Sequence, residues 1–179
     1  FGFKAFYPGP GLGGHCIPID PYLLTWKAKQ YDINTKFIEL SADINNSMPN
    51  YVVEKINESL NILGKNFSNS KILILGVAYK KNINDIRESP ALKIMEILKQ
   101  KNSNFLYHDP FIPKLSFKYK SKLLTYKSIE ISRKNLKKLD LVCLVTDHDN
   151  CDYNVIKDNS KVIVDCRGKF RKNKNVIKA

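Results

Sequence analysis

The sequence predicts an α/β protein in which a helical segment precedes a domain built on a parallel sheet. Three observations carry that expectation. Past residue 70, the runs 71–79, 140–148 and 161–166 are almost continuously apolar, the mark of strands buried on both faces. Helical segments fall between these runs, and alternation of strand and helix implies a parallel sheet covered on both sides. Upstream, Ile44, Met48, Val52, Ile56 and Leu60 recur every fourth residue, a helical stripe without strand alternation.

The elements can be justified in order. Residues 22–29 read as a helix, with Asp20 as its N-cap and Pro21 at the first position. Residues 31–34 break it, and a longer helix starts near Thr35, its stripe widened by Leu40 and Val53. Pro49 predicts a kink in that helix or a boundary near Met48. Gly64 closes it, and 65–70 form a polar linker. The first strand spans 71–79. Residues 89–98 follow as a helix with Ser89 at the N-cap and Pro90 at N1. Residues 105–109 are a second strand, ended by Pro110; 123–126 a short strand; 131–139 a helix. Strands at 140–148 and 161–166 complete the sheet, and the basic end from Lys169 is predicted to fray. The domains are then 1–66 and 67–179.

Composition narrows the function. A net charge of +13 raises nucleic acid, but the basic residues are nearly all lysines, and Arg87, Arg133, Arg167 and Arg171 are the sole arginines. Bidentate contacts to bases and phosphates favour arginine. The lysines are spread along the chain and read as a solvated surface, so no nucleic-acid partner is expected. No apolar run reaches the roughly 18–20 residues of a membrane span, so no membrane partner is expected either. The cysteines Cys16, Cys143, Cys151 and Cys166 form no C-x-x-C pair and suit a reducing cytoplasm. Cys143 and Cys166 read as small buried hydrophobes, and Cys16 has a polar loop address. His108 and His148 stand at no metal-ligand spacing, so no metal is expected. The chain starts at Phe1 without a signal peptide and reads as a piece whose N-terminus lies upstream.

The densest stretch is the opening loop. Between Pro8 and Pro21, four glycines and four prolines fall within fourteen residues, which excludes helix and central strand. One thiol, one imidazole and one carboxylate are set into it: Cys16, His15 and Asp20. Gly9, Gly11 and Gly14 satisfy G-x-G-x-x-G, but Tyr7-Pro8 precedes them and Cys16-Ile17-Pro18 follows. A dinucleotide fingerprint needs a strand before it and a helix opening on its last glycine, so that reading is rejected.

The run Gly9-Pro10-Gly11-Leu12-Gly13-Gly14-His15-Cys16-Ile17-Pro18-Ile19-Asp20-Pro21 resembles the catalytic-cysteine segment of the UDP-glucose/GDP-mannose dehydrogenase family. With Phe6-Tyr7-Pro8 before it, it is most similar to the UDP-N-acetylhexosamine branch. Gly76-Val77-Ala78-Tyr79-Lys80-Lys81-Asn82 with Asp85-Ile86-Arg87-Glu88-Ser89-Pro90 resembles a motif of the family's UDP-binding domain, and Thr146-Asp147-His148-Asp149 resembles a third. The three motifs agree in order.

The resemblance implies a Rossmann-like UDP-sugar-binding domain, a homodimer formed through the long helix, and NAD-dependent oxidation of a sugar C6 alcohol to the acid. UDP-N-acetylglucosamine or its epimer is the implied substrate, with UDP-glucose or GDP-mannose as alternatives. A non-catalytic nucleotide-sugar-binding or dimerisation module is the alternative of another class. Cys16 is implied as nucleophile and Asp20 as the group that orders the hydrolytic water. A free thiol is mostly protonated at neutral pH, so such a site must activate it. Tyr7, Gly9, Gly11, Gly13, Lys80 and Arg167 are implied as substrate contacts, and Gly13, Cys16 and Arg87 as cofactor contacts. His15 is expected to shape the loop or touch substrate. The family's N-terminal NAD-binding domain has no counterpart here, so residues 1–179 alone are expected to be inactive.

Overall fold

The computed structural model describes Ala5 and residues 7–179; Phe6, quoted above with the opening loop, lies outside the described residues. Two helices come first, α1 (Asp20–Lys29) and α2 (Lys36–Ile62). Then follow β1 (Lys71–Leu75), α3 (Pro90–Gln100), β2 (Asn104–His108), and a hairpin of β3 (Lys114–Tyr119) and β4 (Lys122–Lys127). The chain ends through α4 (Arg133–Leu136), β5 (Leu141–Leu144), α5 (Tyr153–Asn159), β6 (Ile163–Asp165) and β7 (Val176–Lys178).

Every residue of β5 and β6 and all but the first of β1 are buried, so the sheet needs cover on both faces. On one face Ile72, Ile74 and Cys143 pack against Val52, Ile56 and Leu60 of α2 and Ile94 and Leu98 of α3. On the other, Leu73, Leu75, Val142 and Leu144 meet Leu136 of α4, Ile156 of α5 and Phe170. Each fully buried aliphatic side chain contributes on the order of 1.5–3 kcal/mol. The five strands are all parallel in the order β2-β1-β5-β6-β7. The α/β expectation holds: a helical segment leads into a parallel-sheet domain.

Several sequence expectations need correction. Pro49 ends nothing: α2 runs for 27 residues through it. Proline removes the N–H that would bond the Asn45 carbonyl, and it is beside this break in the ladder that the opening loop docks. There the Leu12 N–H donates to Asn45 Oδ1 at 2.8 Å. The helical stripe is split: Val52, Val53, Ile56 and Leu60 are buried, whereas Leu40 and Ile44 are exposed. Asp20 is not the N-cap of α1. The carbonyl of Cys16 accepts the Ile19 and Asp20 amides, so the chain winds into helix one residue early and Asp20 becomes the first helical residue, with no side-chain cap.

The expected helix at 131–139 shrinks to the four residues of α4, started by Ser132, whose Oγ accepts the Asn135 amide. The end of the chain does not fray: Val176–Lys178 pairs with β6, and the Lys178 ammonium reaches Asp165 at 2.5 Å. The apolar runs overstate the strands, because Val77 and Ala78 are buried within the loop that follows β1. Cys143 and Cys166 are buried, as expected, with sulfurs 3.9 Å apart.

Candidate functional site

The sheet dictates where a ligand can sit. β1 connects to β2 on one side while β5 lies on its other side, so the carboxyl ends of β1 and β5 part at a topological switch point, where open α/β sheets bind ligands. Three loops rise from that edge: 76–89 after β1, 145–152 after β5, and the turn after β6. The opening loop lies against them.

The β6 turn is shaped by Asp165, whose carboxylate accepts the amides of Arg167, Lys169 and Phe170 at 3.0, 3.2 and 2.9 Å. Burial would push this carboxyl up, but Lys178 and those amides outweigh it and hold it below the usual range. The turn presents Arg167, whose Nε donates to Asp147 Oδ1 at 3.2 Å and whose guanidinium lies where a side chain on Gly9 would be. A Cβ on Gly9 would displace the end of this side chain.

The opening loop is fastened to the β1 loop. The Gly14 N–H donates to the Arg87 carbonyl at 3.0 Å. A Cβ on Gly13 would stand 2.5 Å from the Glu88 carbonyl oxygen and 2.7 Å from Tyr79 Cβ, so only glycine allows the two backbones to close up. Arg87 forks onto Asp85, with Nε at 2.9 Å from both carboxylate oxygens and Nη2 at 2.5 Å from Oδ2. The hydrogen bonds from Arg87, its side chain first, hold Asp85 below the usual carboxylate range. Arg87 Nη1 meets His15 Nδ1 at 3.2 Å. A guanidinium only donates, so this contact makes His15 Nδ1 the acceptor. His15 thus ties the opening loop to Arg87 and also stands on the wall of the adjoining cavity.

These contacts close a cavity of about 520 Å³, within the size range of small-molecule sites. Its wall holds Tyr7, Gly11, Gly13, Cys16, Lys80, Arg87 and Arg167. Most of the sequence-predicted residues thus meet at one place, although they span the chain from residue 7 to residue 167. Gly9 stands beside it under Arg167, and Asp20 is absent from the wall, one turn beyond Cys16. Cys16 is exposed, the other three cysteines buried. Among the described residues no cluster of three or more metal-ligating side chains occurs, and no helix is long and apolar enough to cross a membrane.

Sequence reasoning missed Tyr79, Asp109 and His148. Tyr79 packs against Gly13 and Gly14. His148 is fully buried, its Nε2 3.0 Å from Asp109 Oδ2. The signal for His148 was its motif at the end of the β5 run; Asp109 showed only a strand end.

Residues 73–172 match the UDP-glucose/GDP-mannose dehydrogenase family, UDP binding domain, and residues 1–47 match the central domain of that family. The chain belongs to this family. Over 170 residues it is 36% identical to the UDP-N-acetyl-D-mannosamine dehydrogenase of Methanococcus vannielii, which covers 95% of this chain and 35% of that protein. It is 29% identical over 163 residues to the NDP-N-acetyl-D-galactosaminuronic acid dehydrogenase of Ralstonia nicotianae, covering 90% of this chain and 36% of that protein. The solved structure of UDP-D-ManNAc dehydrogenase from Pyrococcus horikoshii superposes with a TM-score of 0.78 at 28% identity, covering 99% of this chain and 40% of that one. The chain spans about a third of the length of the curated relatives it matches.

The 9–14 loop forms no dinucleotide cradle: no helix opens on Gly14, whose amide is committed to Arg87. What fits an anionic cofactor is the exposed Arg87 guanidinium on the wall shared with Cys16 and Gly13.

Proposed function

We propose that this chain carries the nucleophile and the nucleotide-sugar domain of an NAD-dependent dehydrogenase that oxidises the C6 alcohol of a UDP-N-acetylhexosamine to the carboxylate. The supporting observation is the convergence of Cys16, Lys80, Arg87 and Arg167 on one cavity at the switch point. In this reading residues 1–66 bring the cysteine loop and a dimerisation helix, and 67–179 bind the UDP-sugar. Lys80 and Arg167 take the anionic nucleotide, with Tyr7 and the loop backbone at Gly9, Gly11 and Gly13 around the sugar. Arg87 and Gly13 contact NAD, which when bound supplies the hydride acceptor.

The chemistry balances. Loss of a hydride from C6 and of the hydroxyl proton to solvent gives the aldehyde. The Cys16 thiolate adds to that carbon while the carbonyl oxygen takes up a proton, and the thiohemiacetal holds the carbon in place. Loss of a second hydride from that carbon, with the hydroxyl proton released to solvent, leaves a thioester. Water, ordered by Asp20, then attacks the acyl carbon and gives up its protons to solvent; the C–S bond breaks, the thiolate leaves, and the carboxylate is released.

The sugar is a second element of the proposal. The resemblance implies UDP-N-acetylglucosamine or its epimer, and the relatives named above favour the manno epimer. A dimer belongs to the reading as well: Leu23, Leu24 and Trp26 of α1 and Phe37, Leu40 and Ile44 of α2 are exposed, and a second copy would cover them. The test uses the full-length protein with UDP-N-acetylmannosamine, UDP-N-acetylglucosamine, UDP-glucose and GDP-mannose side by side. The highest kcat/KM is expected on a UDP-N-acetylhexosamine; turnover confined to UDP-glucose or GDP-mannose would refute the assignment.

A further inference from the structure

The loop that carries Lys80 is fixed at both ends by groups that take no part in the chemistry above. At its start, the Val77 and Ala78 amides donate to Asp109 Oδ2 at 2.7 and 3.1 Å, and Thr146 Oγ1 donates to the Ala78 carbonyl at 2.7 Å. At its end, the Asn82 amide donates to His148 Nδ1 at 3.0 Å. Asn82 Nδ2 and the Lys81 ammonium both reach Asp149, at 2.5 and 3.3 Å, and the Asp149 amide returns a bond to Asn82 Oδ1.

His148 joins the two ends. Because its Nδ1 accepts from Asn82, its Nε2 must carry the proton, and that N–H is directed at Asp109 Oδ2, 3.0 Å away. Both side chains are fully buried. Burial would raise the Asp109 carboxyl, but hydrogen bonds from His148 and from the Val77 and Phe111 amides outweigh it and keep it low. One charged acceptor thereby gathers β1, β2 and β5 at the switch point. Such buried hydrogen-bonded networks fix one conformation because an unmet group in them is costly.

Between the clamps stand Tyr79 and Lys80. Tyr79 supports Gly13 and Gly14 of the cysteine loop, and among the described residues the Lys80 ammonium has no protein partner, in contrast to Lys81. We propose that His148 and Asp149, anchored on Asp109, are positioning residues that hold the 79–82 loop so that Lys80 is set, free, to receive the anionic part of the substrate. This rests on the function proposed above, and it assigns the clamp an effect on nucleotide affinity more than on turnover.

The experiment compares three variants of the full-length protein. Asp149→Ala removes the exposed clamp, His148→Phe keeps a ring in the core, and Lys80→Ala removes the cation. UDP affinity is read by calorimetry, KM and kcat with UDP-N-acetylmannosamine, and amide exchange across 79–82. UDP affinity is expected to fall about three- to tenfold in Asp149→Ala and about tenfold or more in His148→Phe, as hydrogen bonds to the loop are lost. KM should follow, with kcat within about twofold, and the Asn82 amide should exchange faster. In the Lys80→Ala background, Asp149→Ala should cost no further affinity.

Wild-type UDP affinity in folded Asp149→Ala and His148→Phe would overturn the proposal. So would an equal loss with and without Lys80, which would mark general loosening of the fold. If His148→Phe does not fold, the Asp149→Ala cycle decides alone. Affinity and exchange report on the clamp whatever the chemistry: a protein that binds UDP as stated yet oxidises none of the sugars would refute the proposed function and leave this inference standing.

Discussion

Gly13→Ala should disable the nucleophile loop without unfolding the domain. The new Cβ would meet the Glu88 carbonyl oxygen at 2.5 Å and Tyr79 Cβ at 2.7 Å, where ordinary contact begins at 3.4 Å. The gap must widen by about 0.9 Å, the difference between the first and last of these values. Neither neighbour can swing aside, since one is backbone and the other the first atom of a side chain. The 76–89 loop is held by Asp109, Thr146 and His148, so the exposed opening loop is the part that gives. Cys16, three residues on, moves with it, and the bond from the Gly14 amide to Arg87 is strained. A misplacement of about 1 Å in a reacting group costs on the order of 100-fold. Steady-state kinetics of the full-length variant with UDP-N-acetylmannosamine and NAD should show kcat reduced about 10- to 100-fold. Its melting temperature should change by less than about 4 °C, because the strain stays in a surface loop. A kcat within about twofold of wild type would refute the argument that this close approach sets the position of Cys16.

Three further outcomes are expected. Asp140 is held down to about 2 because the Lys161 and Lys65 ammonium groups and the Lys71 amide outweigh its burial. A carboxyl lowered in the folded state stabilises above its unfolded value and loses that contribution as pH falls toward about 2. Asp140→Asn should therefore cost roughly 1–2 kcal/mol at pH 7 and flatten the decline in denaturant midpoint below about pH 4; an unchanged acid profile would contradict the sign. Val176→Asp places a charge at a buried position of β7 and should destabilise by about 2–4 kcal/mol in urea unfolding. Wild-type stability would mean that the last strand does not hold in solution. In the proposed dimer, Phe37→Glu, at a side chain 86% exposed, should leave the far-ultraviolet circular dichroism unchanged and shift the full-length protein toward monomer in light scattering; a retained dimer would move the interface elsewhere.

The residues that declared themselves in the sequence did so where one physical requirement dominated. β1, β5 and β6 were legible because a strand buried on both faces must be apolar throughout. β3 was missed although Leu115, Phe117 and Tyr119 alternate with Lys114, Ser116 and Lys118, because the lysines there read as plain solvated surface. α5 buries only Ile156 and so left no stripe to find. β7 is three residues long and is held by its neighbour β6 and by Asp165, neither of which the local sequence announces. At the site, Cys16, Lys80, Arg87 and Arg167 stood out through motif and charge, and the fold gathers them. Asp109 and His148 act through the backbone of residues distant in sequence, and their partners appear only once β1, β2 and β5 lie side by side. Gly9 and Gly13 are implied by the resemblance as substrate contacts; the structure adds that they lie closely packed against Arg167 and the Glu88 carbonyl.

The most direct test of the central claim counts NADH formed per sugar consumed by the full-length protein, with limiting UDP-N-acetylmannosamine and excess NAD. Two NADH per sugar, with a stall in Cys16→Ala before the second, is the result the thioester route requires. One NADH per sugar, or two in both wild type and Cys16→Ala, would contradict it.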